Sequence, residues 1–110
     1  MVKLENIFEG SKANLERESV KELISRGKII RLESVVSPRS NTPSEVYDQN
    51  EDEFVILLKG SAELKFYDGR TSPRNVSMRR GNYVNIPAHL KHSVVKTKKG
   101  TVWLALFYKK

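Results

Sequence analysis

Two groups of residues in this chain of 110 residues have side chains that could bind a metal ion. The first lies in the stretch YDQNEDEFVILLKG from Tyr47 to Gly60, where four carboxylates are crowded together: Asp48, Glu51, Asp52 and Glu53. The second is PAHLKH, which contains both histidines of the chain, His89 and His92. Neighbouring carboxylates repel one another unless a cation lies among them, and carboxylates and imidazoles together bind divalent transition metals. The two groups therefore predict one metal site, provided that the fold brings them together.

The elements that must position these groups are mostly short strands. The apolar run Phe54–Leu58, which ends at Lys59-Gly60, is typical of a strand buried on both faces. Further strands are predicted over Lys28–Val36, 62–67, 76–78, 83–86, 93–97 and 101–108, and Asp68-Gly69 predicts a turn. Short strands at a spacing of roughly ten residues indicate an antiparallel sandwich or barrel. One short helix is predicted over Ser19–Arg26, because Ser19 and Glu22 form a capping box and Gly27 provides a stop.

The bulk properties predict a single domain, made of an N-terminal arm and helix over 1–27 and a barrel over 28–110. The chain has no cysteine, which excludes disulfides and thiolate metal sites. No apolar run is long enough to cross a bilayer, and MVKLENIFEG lacks the apolar region of a signal peptide. A cytoplasmic location is therefore expected.

The net charge of +7 is unevenly distributed. Residues 1–58 contain 8 lysines and arginines against 11 acidic residues, whereas residues 59–110 contain 12 against 2. Such a basic half could bind nucleic acid or another anionic partner. No aromatic residues alternate with the basic ones as stacking surfaces would require, which argues against nucleic acid. Binding of an anionic partner by a metal-free fold remains a third hypothesis for this half.

The spacing of the motif residues is more specific. Glu53 is followed by six residues and Gly60, while Gly81 is followed by five residues and Pro87, with His92 five positions further on. These spacings resemble the paired motifs of the cupin superfamily, and in particular a group of small single-domain microbial cupins of unassigned activity. The resemblance covers about residues 30–108. It implies an antiparallel jelly-roll β-barrel, so that the expected fold is all-β with one short N-terminal helix.

The same resemblance implies a set of site residues. Glu53 matches the metal-binding glutamate of the first motif, and His92 matches the metal-binding histidine of the second. The two histidine positions of the first motif fall on Tyr47 and Gln49. Gln49 is either a ligand through its amide oxygen or a hydrogen-bond partner of Glu53, and Tyr47 is expected in the substrate pocket. His89 stands at a position that is usually glycine, and is either an additional ligand or an exposed turn residue.

The function implied by the resemblance is metal-dependent chemistry on a small organic molecule. The ion would be Fe, Zn, Mn or Ni, held by Glu53 and His92 together with one or both of Gln49 and His89. The reaction would be dioxygenase-like or isomerase-like; the alternative is a non-catalytic small-molecule-binding or sensory module, and the residues leave open whether the chain is an enzyme. Asp48 is a further candidate ligand at a different spacing, whereas the other two acidic residues before Glu53 are predicted to be solvated. A homodimer is expected, formed through Lys28–Val36 or the N-terminal arm.

Overall fold

The computed structural model describes residues 2–6, 27–68 and 72–110, which form eight strands and no helix. The strands are β1 Glu5–Asn6, β2 Lys28–Ser37, β3 Asp52–Lys59, β4 Ser61–Tyr67, β5 Arg74–Arg79, β6 Asn82–Ile86, β7 Lys91–Thr97 and β8 Thr101–Lys109. All pairings are antiparallel, which confirms the predicted all-β class. The predicted helix over Ser19–Arg26 lies outside the described residues, and so does Gly69 of the predicted turn. Nothing in the described ranges could cross a membrane as a helix.

The strands form two sheets that face each other. The larger sheet has the order β1-β6-β3-β8-β2, and the smaller has the order β5-β4-β7. Apolar residues from both sheets meet in one core, for example Leu57 and Trp103 from the larger sheet and Leu64 and Phe66 from the smaller. This arrangement of two antiparallel sheets around one core is that of a jelly roll.

Strand β3 is central because it pairs with β6 on one side and β8 on the other. Its apolar run is buried on both faces from Phe54 to Leu57, but the prediction was wrong for Leu58, which is 42% exposed. Val55 and Leu57 belong to the core between the sheets, whereas Phe54 and Ile56 pack on the outer face with other aromatic and aliphatic residues. Alternate residues of a strand point to opposite faces, so a run without polar interruption is what this position requires.

Strand β2 lies at the edge of the larger sheet, and its side chains are distributed in an unexpected way. The charged residues Arg31 and Glu33 point to the inner side of the barrel. Leu32 points outward, opposite Leu106 of β8. The inner side tolerates these charges because the two side chains remain 44% and 48% exposed. Arg31 also forms ion pairs with Glu33 at 3.4 Å and with Glu51 at 3.0 Å.

Candidate metal and small-molecule site

A cavity of about 520 Å³ opens between the two sheets at one end of the barrel. Its apolar wall includes Val55, Trp103 and Phe107. Its polar groups include Glu53 and His92, and further polar lining comes from strand β2 and from the segment between β2 and β3: Glu33, Ser37, Ser40, Thr42, Ser44, Tyr47 and Gln49. A largely apolar concavity with a few convergent polar groups is the usual form of a small-molecule site, and its volume lies within the usual range.

Glu53 and His92 come together at this cavity from opposite sheets. Glu53 lies near the start of β3, and His92 lies near the start of β7. His92 Nε2 is 3.8 Å from Glu53 Oε1, and the two side chains are only 6% and 12% exposed. Two groups bound to one ion at about 2.1 Å must themselves lie roughly 3 to 4 Å apart. The structure therefore brings together the carboxylate and one of the two imidazoles that the sequence singled out.

The orientation of the His92 ring is fixed by its surroundings. Its Nδ1 lies 2.9 Å from the backbone oxygen of Leu90. A carbonyl oxygen only accepts, so Nδ1 donates, and in the neutral ring Nε2 carries the free lone pair. The rings of Tyr47 and Phe66 lie 5.7 and 6.1 Å from the imidazole. A histidine that donates one ring nitrogen to a carbonyl while the other faces a cavity has the arrangement found in metal ligands.

Gln49 is the third polar group at this point. Its Nε2 donates to Glu53 Oε1 at 3.1 Å, so in this structure Gln49 is the hydrogen-bond partner of Glu53. Burial raises the pKa of Glu53 above its ordinary value of 4.5. The hydrogen bond from Gln49 and the nearby His92 act in the opposite direction, but with smaller effect.

His89 lies on the rim and does not line the cavity. Its side chain is 64% exposed, and Nδ1 donates to Asp48 Oδ1 at 2.9 Å. Its backbone also donates to the oxygen of Gln49. The φ of +66° explains why glycine is usual at this position of the motif. His89 and Asp48 therefore contact each other on the rim, away from Glu53.

Two acidic residues predicted to be solvated have definite partners. Glu51 pairs with Arg31, as described above. Asp52 Oδ1 accepts a hydrogen bond from the backbone nitrogen of Ala88 at 2.8 Å. Asp52 therefore anchors the turn before β7, the strand that carries His92.

The sequence did not single out Arg31, although it lines the cavity. Its guanidinium carbon lies 3.9 Å from the centre of the Phe107 ring, in a cation–π contact. The only signal in the sequence was the alternation of β2, which places Arg31 and Glu33 on one face without indicating that this face is the inner one.

The donor set fits a divalent ion, but with few strong ligands. Glu53 offers a carboxylate oxygen and His92 an imidazole nitrogen, both on the cavity side. No group of three or more His, Cys, Asp or Glu side chains converges anywhere in the described residues. A third protein ligand would have to be the Gln49 oxygen, after its amide group turns over. Catalytic sites commonly use three protein ligands and leave one or more positions open.

Comparisons with known proteins bear on the fold and its family. No family model matches the chain. Over 67 residues the chain is 31% identical to a 3-hydroxyanthranilate 3,4-dioxygenase from Brucella anthropi, a match that covers 60% of this chain and 37% of the enzyme. The chain thus corresponds to little more than a third of that curated relative.

Solved structures match over more of the chain. A cupin domain from Drosophila melanogaster CENP-C superposes with a TM-score of 0.60 at 11% identity, over 69% of this chain and 59% of that one, which shows the fold alone. A proposed mannose-6-phosphate isomerase from Ralstonia eutropha JMP134 superposes with a TM-score of 0.63 at 34% identity, over 80% of this chain and 81% of that one. The chain belongs to the cupin superfamily.

Membership gives the site geometry a context. In this cupin the glutamate of the first motif and the histidine of the second lie side by side at the cavity. Tyr47, at a histidine position of the first motif, instead pairs through its backbone with His92 and lines the cavity with its ring. The chain thus has a cavity between its sheets, while the two histidine positions of the first motif carry the neutral side chains of Tyr47 and Gln49.

Proposed function

We propose that this cupin binds a small organic molecule in its cavity and holds a divalent metal ion beside it through Glu53 and His92. The observation that carries the proposal is the approach of Glu53 Oε1 and His92 Nε2 to 3.8 Å at the cavity wall, with Nδ1 of the histidine already engaged by Leu90. Carboxylate and imidazole ligands suit Fe, Zn, Mn and Ni. Gln49 would contribute its amide oxygen, and His89 is omitted from the ligand set because it lies on the rim.

The activity we propose is a dioxygenase-like or isomerase-like reaction on that molecule. Its support is the sequence similarity to a 3-hydroxyanthranilate 3,4-dioxygenase and to a proposed mannose-6-phosphate isomerase. A metal in such a site would polarise a substrate oxygen or activate water or dioxygen. Tyr47 lies 37% exposed at the cavity and offers a phenolic hydrogen bond to the bound molecule.

The two histidines supply a matched pair of variants for the test. Metal-depleted protein would be titrated with Fe(II), Zn, Mn and Ni by calorimetry, alongside His92→Ala and His89→Ala. We expect near-stoichiometric binding that weakens at least 100-fold in His92→Ala and less than threefold in His89→Ala. Loss of an outer partner of a ligand commonly costs 10- to 100-fold in affinity, so loss of a ligand itself should cost more. The proposal would be contradicted if the wild type bound none of the four ions, or if both variants lost the same amount of metal affinity.

A second candidate is a binding module without turnover. It is favoured by the hydrogen bond that the Gln49 amide donates to Glu53, because this bond gives the buried carboxylate a partner within the protein. A panel of small acids, phenols and sugars would be tested by thermal shift, once on protein with a chelator present and once on metal-loaded protein. A compound that stabilises both forms equally supports the binding module, whereas one that requires the metal supports the metal-dependent function.

A further inference from the structure

Basic residues gather at one end of the barrel, opposite the candidate metal and small-molecule site. Where β3 pairs with β8, Glu53 lies opposite Phe107 near the end of β8, whereas Lys59 lies opposite Val102 near its start. The segments that meet at this far end are 37–41, 57–63, 77–83 and 95–101. We refer to five exposed cations of these segments as the basic end: Arg39, Lys59, Lys96, Lys98 and Lys99.

Backbone hydrogen bonds hold these segments in fixed positions relative to one another. The nitrogen of Lys98 donates to the oxygen of Ser61 at 3.0 Å, and the nitrogen of Gly100 donates to the oxygen of Ser37 at 3.0 Å. Three cations of the basic end line one cleft of about 430 Å³: Arg39, Lys96 and Lys98. The fold therefore brings the cations to one surface, while their side chains remain exposed to solvent.

Within the described ranges, no carboxylate forms an ion pair with a cation of the basic end. Glu63 lies opposite Lys96 across β4 and β7, but its Oε2 accepts a hydrogen bond from the Asn75 amide at 3.4 Å. The neighbouring Arg79-Arg80 is not counted, since Glu5 of β1 lies at the same end. A group of cations without carboxylate partners produces a positive potential that attracts anions.

We propose that the basic end binds the phosphate backbone of a double-stranded nucleic acid. Its cations are exposed and come from three separate segments, an arrangement that suits charges repeated along a polymer better than one phosphate group. A duplex carries one negative charge per roughly 1.7 Å of its axis, with a layer of counterions that bound lysines and arginines release. Stacking of single-stranded bases requires exposed aromatic rings, and Tyr83, the one aromatic residue of these segments, is 1% exposed. The lack of stacking surfaces therefore argues against single strands and not against a duplex backbone.

The other end of the barrel carries the opposite charge, which determines how the protein would lie on a duplex. Five carboxylates lie at or near the candidate site: Glu33, Asp48, Glu51, Asp52 and Glu53. A phosphate backbone repels these groups, so the cavity should open away from the nucleic acid. The inference goes beyond the proposed function and needs no metal, so the two can fail separately.

Fluorescence anisotropy of a short labelled duplex measures this binding, with a chelator present and salt varied from about 50 to 200 mM. We expect the logarithm of the association constant to fall linearly with the logarithm of the salt concentration. The slope should be roughly −4 for four or five phosphate contacts. At physiological salt the Kd should lie at roughly 1 to 100 µM, the range of binding without sequence specificity.

The two ends of β8 supply a matched pair of double variants. Lys98 and Lys99 precede this strand, and Lys109 and Lys110 lie at its other end, roughly 35 Å away. Lys98→Gln with Lys99→Gln should make the salt slope shallower by about 1.8 and weaken duplex binding at least tenfold. Lys109→Gln with Lys110→Gln lowers the net charge by the same amount, and should weaken binding less than threefold.

A second double variant separates the basic end from a local effect at the turn between β7 and β8. Arg39→Gln with Lys96→Gln removes two other cations of the cleft, and should weaken binding as much as the change at Lys98 and Lys99. Absence of duplex binding at low salt, or equal losses in the two β8 double variants, would overturn the inference. So would tighter binding, at equal concentration of negative charge, to polyglutamate or to vesicles of anionic phospholipid, because the partner would then be an acidic protein or a membrane surface.

Discussion

Replacing Glu53 by glutamine should stabilise the metal-free protein at neutral pH. The Glu53 side chain is 12% exposed, and burial raises the pKa of its carboxyl group. A carboxyl group whose pKa is raised on folding stabilises the native state below its unfolded pKa, and this contribution is lost as the pH rises through the folded pKa. Glutamine has the same shape, does not ionise, and can still accept the hydrogen bond that Gln49 donates.

The size of the effect follows from proton linkage. The two proteins should be nearly equal in stability below pH 4, where the carboxyl group is protonated in both the folded and unfolded wild type. Above the ordinary pKa of 4.5, the advantage of the variant should grow by at most about 1.4 kcal/mol per pH unit and level off above the folded pKa. For a domain of this size each kcal/mol corresponds to roughly 4 to 8 °C in melting temperature.

This difference is measured by thermal unfolding of the wild type and of Glu53→Gln, both in the presence of a chelator, between pH 3.5 and 8. Adding metal at 100 times its Kd should then stabilise the wild type by about 2.7 kcal/mol, with little effect on the variant. The difference in stability between the two proteins should therefore become smaller or change sign. A chelated variant that is less stable than the wild type at neutral pH would refute the argument that the buried charge is a cost in the metal-free state.

Three further substitutions test the structure. Gln49→Leu removes the hydrogen bond to Glu53 and also the amide oxygen that we propose as a ligand. Metal titration should therefore show a loss of affinity beyond the 10- to 100-fold expected for an outer partner, and the pKa of Glu53 should rise further because that bond lowers it. Gly60→Ala and Gly100→Ala form a matched pair at φ of +90° and +78°: both carry the cost of the left-handed conformation, roughly 1 to 2 kcal/mol. Only at Gly60 would the new Cβ meet Thr101, whose Cα lies 2.8 Å away, while nothing lies within 4 Å at Gly100. Denaturant unfolding should therefore show a clearly larger loss of stability for Gly60→Ala, and equal losses would contradict the contact.

The fold was accessible from the sequence because its strands carry local signals. The apolar run of β3 indicates a strand buried on both faces, and the alternation of β4 indicates which of its faces is buried, both without reference to the rest of the chain. Strand β1 was not predicted, since two residues, Glu5 and Asn6, carry no periodic signal and are defined only by pairing with β6. The inward direction of Arg31 was equally hidden, because it depends on partners 2 and 20 residues away, Glu33 and Glu51.

The candidate site shows a similar division between local and tertiary information. The resemblance to the paired cupin motifs implies that Glu53 and His92 lie together, and in the structure they do. The histidine spacing could not decide the direction of His89, which depends on a left-handed backbone and on the Asp48 carboxylate. The contact with Asp48 is a tertiary feature, because Asp48 lies 41 residues earlier in the chain.

The burial of Glu53 would link stability to the proposed metal binding in this chain. Removing a carboxylate from water is costly unless a cation or donors compensate for it, and here the described donor to Glu53 is the amide of Gln49. A divalent ion beside Glu53 would offset that cost more fully than a neutral amide does. The same desolvation that raises the pKa of Glu53 would therefore favour a metal, even with two strong ligands. For this reason a site with a glutamine and a tyrosine at the histidine positions of the motif can still be expected to select a cation.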